Sequence, residues 1–571
     1  MKKQITVLQP DRHEIEILCK ALNCSPILAG ILINREITSP EKAERFLNPS
    51  IAEMRPPFSI KDMDDAVRRI STAIARNEKI LIFGDYDVDG ITATTILLEF
   101  LRDAGADVSY YIPHRTKEGY SLKVRHISDV ALPGGVNLII TADCGAGSHD
   151  AVSAANAAGI DVVITDHHMT TGDLPEAVAV VNPCRPDCAS GFNNLSGVGV
   201  AFYLLICLRK HLRDTNFWRK RPEPNLKRSC DAVALGTVAD MVPLVDENRT
   251  LLHTGLEVIN SGKRPGLKAL MEISGKKGLL IETHDIAFGL APRLNAAGRV
   301  GHASTAVELL TATDTEAARR LSDSLDRMNS ERRIIENALF EEVRLYLDNN
   351  PHLLDKKSLV LWNYGWHESV LGIVASRILR IYFRPVVLIS VRDGDGKGSA
   401  RSIPGFDLYQ GLTACKGCLE DFGGHAMAAG LQIKMENLDL FRNDFEKAVD
   451  KMTRPDNFVP KILIDQALDF IDISPGLLDE LESLKPFGTG NPEPLFMARN
   501  VRAVSWRIVG KNHRQMVLEQ PSGGTGVTFN AIHFNIDRQK PFDEDFDEIV
   551  FRLRWNQWNQ KKTIQFVVET V

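Results

Sequence analysis

Between Lys79 and Pro183 this sequence alternates short, near-continuous apolar runs with longer helical patterns. KILIFG, VSYYIP, VNLIITA, DVVIT and AVAVV read as strands, while GITATTILLEFLRDAG and SHDAVSAANAAG, with GVGVAFYLLICLRKHLR after the last of them, read as helices. Strands alternating with helices of this length build a parallel sheet, and runs with no polar face imply helices covering both of its sides. In such a sheet all the carboxyl ends of the strands lie on one edge, which is where open α/β folds place their ligands.

Three of these runs end in acid. Asp85, Asp87 and Asp89 follow KILIFG, Asp143 follows VNLIITA, and Asp166-His167-His168 follows DVVIT. Asp240, after the apolar helical run CDAVALG, is positioned to complete the set. Carboxylates gathered on one rim repel one another and would take up protons unless cations neutralised them. Oxygen ligands with one or two imidazoles and no thiolate suit Mn²⁺ or Mg²⁺, and four or more carboxylates point to two ions. A calcium-loop reading of DYDVDG fails, because its twelfth position is Ile96 where a bidentate Glu is needed. GDGKG near residue 396 lacks the GK[ST] of a phosphate loop and reads as a hairpin turn.

A chain of 571 residues calls for three or four domains. The reading is an N-terminal cap over 1–55, the acid-bearing α/β domain over 56–313, one long bridging helix over 314–350 and a smaller α/β domain over 351–455. A β-rich segment over 456–571 has the strand and turn spacing of a small barrel. A net charge of −6 excludes a protein that coats nucleic acid non-specifically, so contacts with a polyanion must be local. Nine scattered cysteines make no disulfide framework, and Cys184/Cys188 and Cys415/Cys418 are unmatched as zinc knuckles. With neither a leader nor a membrane span recognisable, the expected location is the cytoplasm, with no membrane partner.

GDYDVDG (84–90), TADCG (141–145), TDHH (165–168) and GTVADMVPL (236–244) resemble, in order, the metal-binding motifs of the DHH phosphoesterases, and GGHAMAAG (423–430) resembles the signature of the DHH-associated domain. YIPHRTKEGY (111–120), RLNAAGR (293–299), GWHESVLGIVASR (365–377), GSARS (398–402) and LKPFGTGNPEP (484–494) are similar to motifs of the RecJ branch of that superfamily. The resemblance runs over nearly all of the chain after residue 55.

The resemblance implies an OB-type fold for the C-terminal barrel and two divalent cations, Mn²⁺ or Mg²⁺. Asp85, Asp87 and Asp143 would hold one; Asp89, Asp143, His167 and Asp240 would hold the other, with Asp143 bridging. His168 would meet the scissile phosphate or donate a proton, and Asp166 would orient its neighbours. Arg115, Arg299, Arg401, Ser402, Gly423, Gly424 and His425 would bind substrate. The implied activity is processive 5′-to-3′ hydrolysis of single-stranded DNA to 5′-mononucleotides, in recombination and repair. The implied partners are single-strand-binding protein and a RecQ-type helicase, and the enzyme is expected to be a monomer. Tyr120 and Trp366 are candidate base-stacking groups in a passage between the two α/β domains, with packing in a core as the equal alternative for each. In the barrel the candidates are Trp506, Lys511, His513, Arg514, Trp555, Trp558 and Lys561. Three positions depart from the family pattern: Phe83 replaces a frequent His, Ser121 a frequent Gly, and Glu368-Ser369 a frequent Pro-Gly.

Overall fold

The computed structural model describes residues 3–170, 172–522, 525–538, 541–558 and 561–570. The chain forms two compact units. One comprises Pro56–Asp240 and Thr254–Pro460; the other comprises Lys3–Arg55, Met241–His253 and Lys461–Val571.

The first unit holds a five-stranded sheet in the spatial order Asp107–Tyr111, Lys79–Gly84, Leu138–Ala142, Asp161–Thr165, Ala179–Val181. Every neighbouring pair is parallel. The chain steps outward from Lys79–Gly84 to Asp107–Tyr111 and then returns to the other side of the first strand. The order therefore reverses between Lys79–Gly84 and Leu138–Ala142, and a crevice opens at their carboxyl ends. Helices Val88–Asp103, Gly197–Asp214 and Cys230–Ala239 are buried along most of their length, as their apolar sequences require.

The helix Thr315–Asn349 runs for 35 residues. Leu339, Phe340, Val343 and Leu347 on this helix join a core with Leu359, Leu361, Val374 and Leu388 of the second α/β segment. That segment carries a five-stranded sheet in the order Asp421–Gly424, Ala428–Lys434, Asp395–Arg401, Val386–Arg392, Leu359–Tyr364, in which the last pair alone is parallel.

In the second unit, strands Phe496–Val509, His513–Ser522, Thr525–His533, Lys561–Thr570 and Asp545–Trp558 close into a ring, because the last pairs back with the first. The apolar faces of helices Arg12–Leu22 and Pro26–Asn34 complete this barrel's core: Leu18, Leu28 and Ile31 pack in one cluster with Phe470, Phe551 and Phe566. Gln4–Val7 pairs in parallel with Lys461–Ile464, so both ends of the chain are stitched into one unit. Arg249 is 1% exposed and donates to the carbonyls of Phe46, Ser483, Leu484, Lys485 and Pro486, with its guanidinium 3.8 Å above the Phe46 ring. The LKPFGTGNPEP motif is thus clamped around a buried cation whose hydrogen bonds are satisfied by backbone oxygens. Among the described residues no single helix is long and apolar enough to cross a membrane.

Candidate metal centre and cleft

The acids reach one rim because the sheet's hydrogen-bond ladder runs one residue past each strand. Asp85 N–H donates to Ala142 O at 3.1 Å, Asp143 N–H to Thr165 O at 3.0 Å, and Asp166 N–H to Val181 O at 3.2 Å. Asp143 does so with φ +65°, a left-handed backbone that costs energy outside glycine and recurs at functional sites.

Three overlapping groups of potential ligands result: Asp143 with His167 and His168, and two sets that share no residue. One oxygen each from Asp85, Asp87 and Asp143 lie within 4.8 Å of one another, and the same holds for Asp89, His167 and Asp240. His167 Nε2 connects the sets, 3.2 Å from Asp143 Oδ1, 3.6 Å from Asp240 Oδ2 and 3.7 Å from Asp89 Oδ2. Asp87 caps helix Val88–Asp103 through Gly90 N–H at 3.1 Å. Cys184, Cys188, Cys415 and Cys418 are free thiols and join neither set.

These groups are packed at electrostatic expense. Burial first, and then Asp87, push the Asp85 carboxyl well above its usual range; burial and then Asp89 do the same to Asp143. Asp240 is pushed up to about 9 by burial and Asp89, and Asp89 to about 7 by burial and Asp87. Asp85 Oδ1, Asp143 Oδ1 and His167 Nε2 are buried with no hydrogen-bond partner. Unpartnered buried polar atoms are rare, and three gathered on one carboxylate rim fit divalent cations with oxygen and imidazole ligands.

Asp166 is held differently. It accepts from Ala146 N–H at 2.9 Å, His167 N–H at 2.8 Å, His168 N–H at 3.1 Å and the His168 ring Nδ1 at 2.7 Å. Burial alone would raise it, but His168 and these donors draw it down to about 2. Burial likewise opposes charge on His168, yet Asp166 lifts that imidazole to about 9. The Tyr120 hydroxyl lies 3.2 Å from the same Nδ1. With Nδ1 committed, Nε2 is the His168 nitrogen left for a substrate.

Beside the rim opens a cleft of about 1660 Å³. Tyr86, Arg115, Tyr120, His168 and Arg299 line one side; Arg401, Gly423, Gly424 and His425 line the other. The His168 and His425 rings face each other at 5.9 Å and 18°. Among the described residues Arg115, Arg299 and Arg401 form no ion pair. Arg115 lies over the Tyr86 ring at 4.7 Å, Arg299 donates to Ser369 O, and Arg401 donates to Ala400 O at 2.8 Å. Burial and then mutual repulsion with Arg115, Arg332 and Arg401 bring Arg299 down to about 9. Three partly buried guanidiniums gathered without an ion pair are built to receive an anion.

One expectation is corrected and one alternative decided. Ser402 does not line the cleft: it is buried, and its hydroxyl donates to Phe406 O at 2.7 Å. Trp366 packs against the core around Leu339 and Phe340 and donates to Glu342 at 2.9 Å, so it is a packing group. Phe83 is fully buried, 4.9 Å from the His126 ring, inside the apolar cluster of Leu81 and Ile139. Ser121 sits at φ +69°, which explains why glycine is the more usual residue there. In the barrel Trp506 is exposed, with Arg514 5.4 Å from its ring, while Trp555 is partly buried with Lys562 Nζ 4.0 Å above it. The Trp558 side chain lies outside the described residues.

Sequence reading missed the residues that hold the rim together. Both oxygens of Asp89 accept from the start of helix Gly197–Asp214, from Gly197 N–H at 2.6 Å and Val198 N–H at 2.8 Å. Gly197 permits this because a Cβ there would stand 2.3 Å from Asp143 Oδ1.

Family models match three stretches: the DHH family N-terminal domain over 79–237, the DHHA1 domain over 355–451 and the RecJ OB domain over 464–570. The chain is 39% identical to the single-stranded-DNA-specific exonuclease RecJ of Dickeya dadantii, over 88% of this chain and 89% of that one. It is 34% identical to the same-named protein of Escherichia coli over the full length of both. The crystal structure of RecJ from Thermus thermophilus in complex with Mn²⁺ superposes with a TM-score of 0.81 at 29% identity, covering 99% of this chain and 79% of that one. A Mg²⁺ complex of that protein superposes at 0.75. Three domain matches in register with the acid rim and the closed barrel, together with full-length identity to proteins of one name, show that this chain belongs to the RecJ family.

Proposed function

We propose that this chain hydrolyses phosphodiester bonds in single-stranded DNA, processively from a 5′ end, releasing 5′-mononucleotides with the aid of two divalent cations, Mn²⁺ or Mg²⁺. The observation that carries the reading is the set of buried, unpartnered atoms Asp85 Oδ1, Asp143 Oδ1 and His167 Nε2. The names of the RecJ relatives and the metal complexes of the Thermus protein support it.

Asp85, Asp87 and Asp143 would hold one ion, and Asp89, His167 and Asp240 the other, with Asp143 shared between them. Such ions would supply an activated water and charge stabilisation for an in-line displacement at phosphorus. The chain's own groups do the rest. Asp166 holds His168 protonated at Nδ1 and fixes its ring, so that Nε2 can donate to a phosphate oxygen. Arg115, Arg299 and Arg401 neutralise phosphate in a cleft where desolvation strengthens each contact. Gly423 and Gly424 let a nucleotide approach the backbone, and His425, stacked toward His168, offers it a flat face. The exposed Trp506 and Lys511 give the barrel a surface for the more distant strand.

The resemblance to RecJ extends the proposal to recombination and repair in the cytoplasm, as a monomer acting with single-strand-binding protein and a RecQ-type helicase. The test is to incubate the protein with Mn²⁺ and end-labelled single-stranded DNA, duplex DNA, RNA or pyrophosphate. Mononucleotides accumulating from the 5′ end of single-stranded DNA alone is the expected result; consumption of pyrophosphate instead, or of no substrate, contradicts the reading.

A further inference from the structure

Asp89 and Asp240 belong to one ligand set but to different helices. Asp89 lies in the first turn of Val88–Asp103, and Asp240 caps the end of Cys230–Ala239. These helices touch near the rim, where a Cβ on Gly236 would stand 2.4 Å from Thr92 Oγ1 and 2.8 Å from Asp89 Oδ1. At the far end of the same pair sits Arg264, whose side chain is 10% exposed. Its guanidinium grips both helices: Nη1 and Nη2 donate to Glu99 at 2.6 and 3.1 Å, and Nε and Nη2 to Asp231 at 2.7 and 3.1 Å. A fifth bond, from Nη1 to Leu310 O at 2.5 Å, fixes the guanidinium to the neighbouring helix Ser304–Thr311.

Glu99 lies ten positions along its helix from Asp89, and Asp231 lies nine from Asp240. At a helical rise of about 1.5 Å per residue, Arg264 therefore acts roughly 14–15 Å from the rim, beyond contact with any ligand. Two rigid rods that meet at one end and are bolted at the other have a fixed spacing. A forked guanidinium holding two carboxylates sets that spacing more sharply than a single ammonium could.

We infer that Arg264 is a positioning residue for the second cation: by bolting Glu99 to Asp231 it fixes the separation of Asp89 and Asp240. The inference rests on the two-cation reading above. The Asp85, Asp87 and Asp143 set uses neither the helix Cys230–Ala239 nor its spacing, so the two ions should respond differently to loss of the bolt.

The test is a Mn²⁺ titration of chelator-treated full chain, with free Mn²⁺ followed by its electron paramagnetic resonance signal, on the wild type and two variants. Arg264→Lys keeps the charge but loses the fork. Arg264→Met combined with Glu99→Gln and Asp231→Asn leaves no stranded buried charge, so its melting temperature stays near that of the wild type while the spacing is released. In both, the first Mn²⁺ should bind within twofold of wild type and the second at least tenfold more weakly. KM for a single-stranded oligonucleotide should stay within about twofold, because the cleft arginines are untouched, while kcat falls and recovers with excess Mn²⁺. Wild-type affinity for both ions in either variant overturns the inference. A wild type that takes up no Mn²⁺ overturns the two-cation reading instead.

Discussion

His167 Nε2 lies 3.2 Å from Asp143 Oδ1, and neither atom has a hydrogen-bond partner. The two residues end neighbouring strands, and Asp143 is held there in a left-handed backbone with φ +65°. A fold that buries a carboxylate oxygen and an imidazole nitrogen face to face without bonding them has sacrificed stability at that point. Cations recover it.

Asp143→Asn separates the two effects. The amide removes a buried charge that burial and Asp89 disfavour, and asparagine tolerates the left-handed backbone. In chelator-treated protein the melting temperature should rise or hold, whereas activity with Mn²⁺ should fall by about 100-fold or more, since a shared ligand matters at least as much as an outer partner. Scanning calorimetry and a nuclease assay check the two arms; unchanged activity contradicts the assignment.

Metal-free protein should also show an inverted pH dependence. The folded-state values of Asp89, about 7, and Asp240, about 9, lie above the ordinary 3.8, so the native state binds more protons than the unfolded one between those limits. Stability contributed by these groups is therefore present at pH 4 and is lost as pH rises toward 9. Saturating Mn²⁺ should reverse the trend, adding about 2.7 kcal/mol at a hundred times the dissociation constant. Melting curves across that range, with and without Mn²⁺, check the sign.

Arg401→Leu should act on substrate binding. Arg401 lines the cleft without an ion pair, beside Arg115 and Arg299. Loss of a charged hydrogen bond of about 1.5–3 kcal/mol predicts KM for single-stranded DNA raised roughly 10–100-fold with kcat changed less. Because burial and Arg115 both disfavour its charge, the folded protein should not be destabilised. Steady-state kinetics with a fall confined to kcat would count against phosphate binding.

Gly197→Ala should be severe for its size. The added methyl would stand 2.3 Å from Asp143 Oδ1, and the Asp89 hydrogen bonds would have to lengthen. About 1–3 kcal/mol of destabilisation is expected, with activity lost beyond it. Denaturant unfolding and Mn²⁺ uptake, measured together, report both.

Cutting the chain before Lys461 should not yield a clean catalytic fragment. Leu18, Leu28 and Ile31 share their core with Phe551 and Phe566, and Gln4–Val7 loses its partner strand. The fragment 1–460 should aggregate or melt well below the full chain in light scattering, whereas Trp506→Ala in the intact chain should weaken binding of long oligonucleotides only.

The rim was legible because acids that follow apolar strands fall on one edge in any parallel sheet, so Asp85, Asp143 and Asp166 needed only the strand period. The phosphate side was legible in Arg115, Arg299 and Arg401 through motif context, and misread at Ser402, because nothing in the sequence reveals which way the first side chain past a strand turns. Gly197 and Arg264 were invisible: each owes its importance to partners far away in the sequence, and nothing in LSGVGV or GKRPG marks such a contact. The same applies to Arg249, whose five acceptors are backbone carbonyls, and to the helices before residue 55, whose apolar faces do not name the barrel they cover.

If acid-tipped strands grip a pair of divalent cations, the Mn²⁺ stoichiometry of chelator-treated protein must show it: two Mn²⁺ per wild-type chain, with both sites disrupted in Asp143→Asn. A wild-type chain that takes up none, or an Asp143→Asn chain that still takes up two with equal affinity, contradicts it.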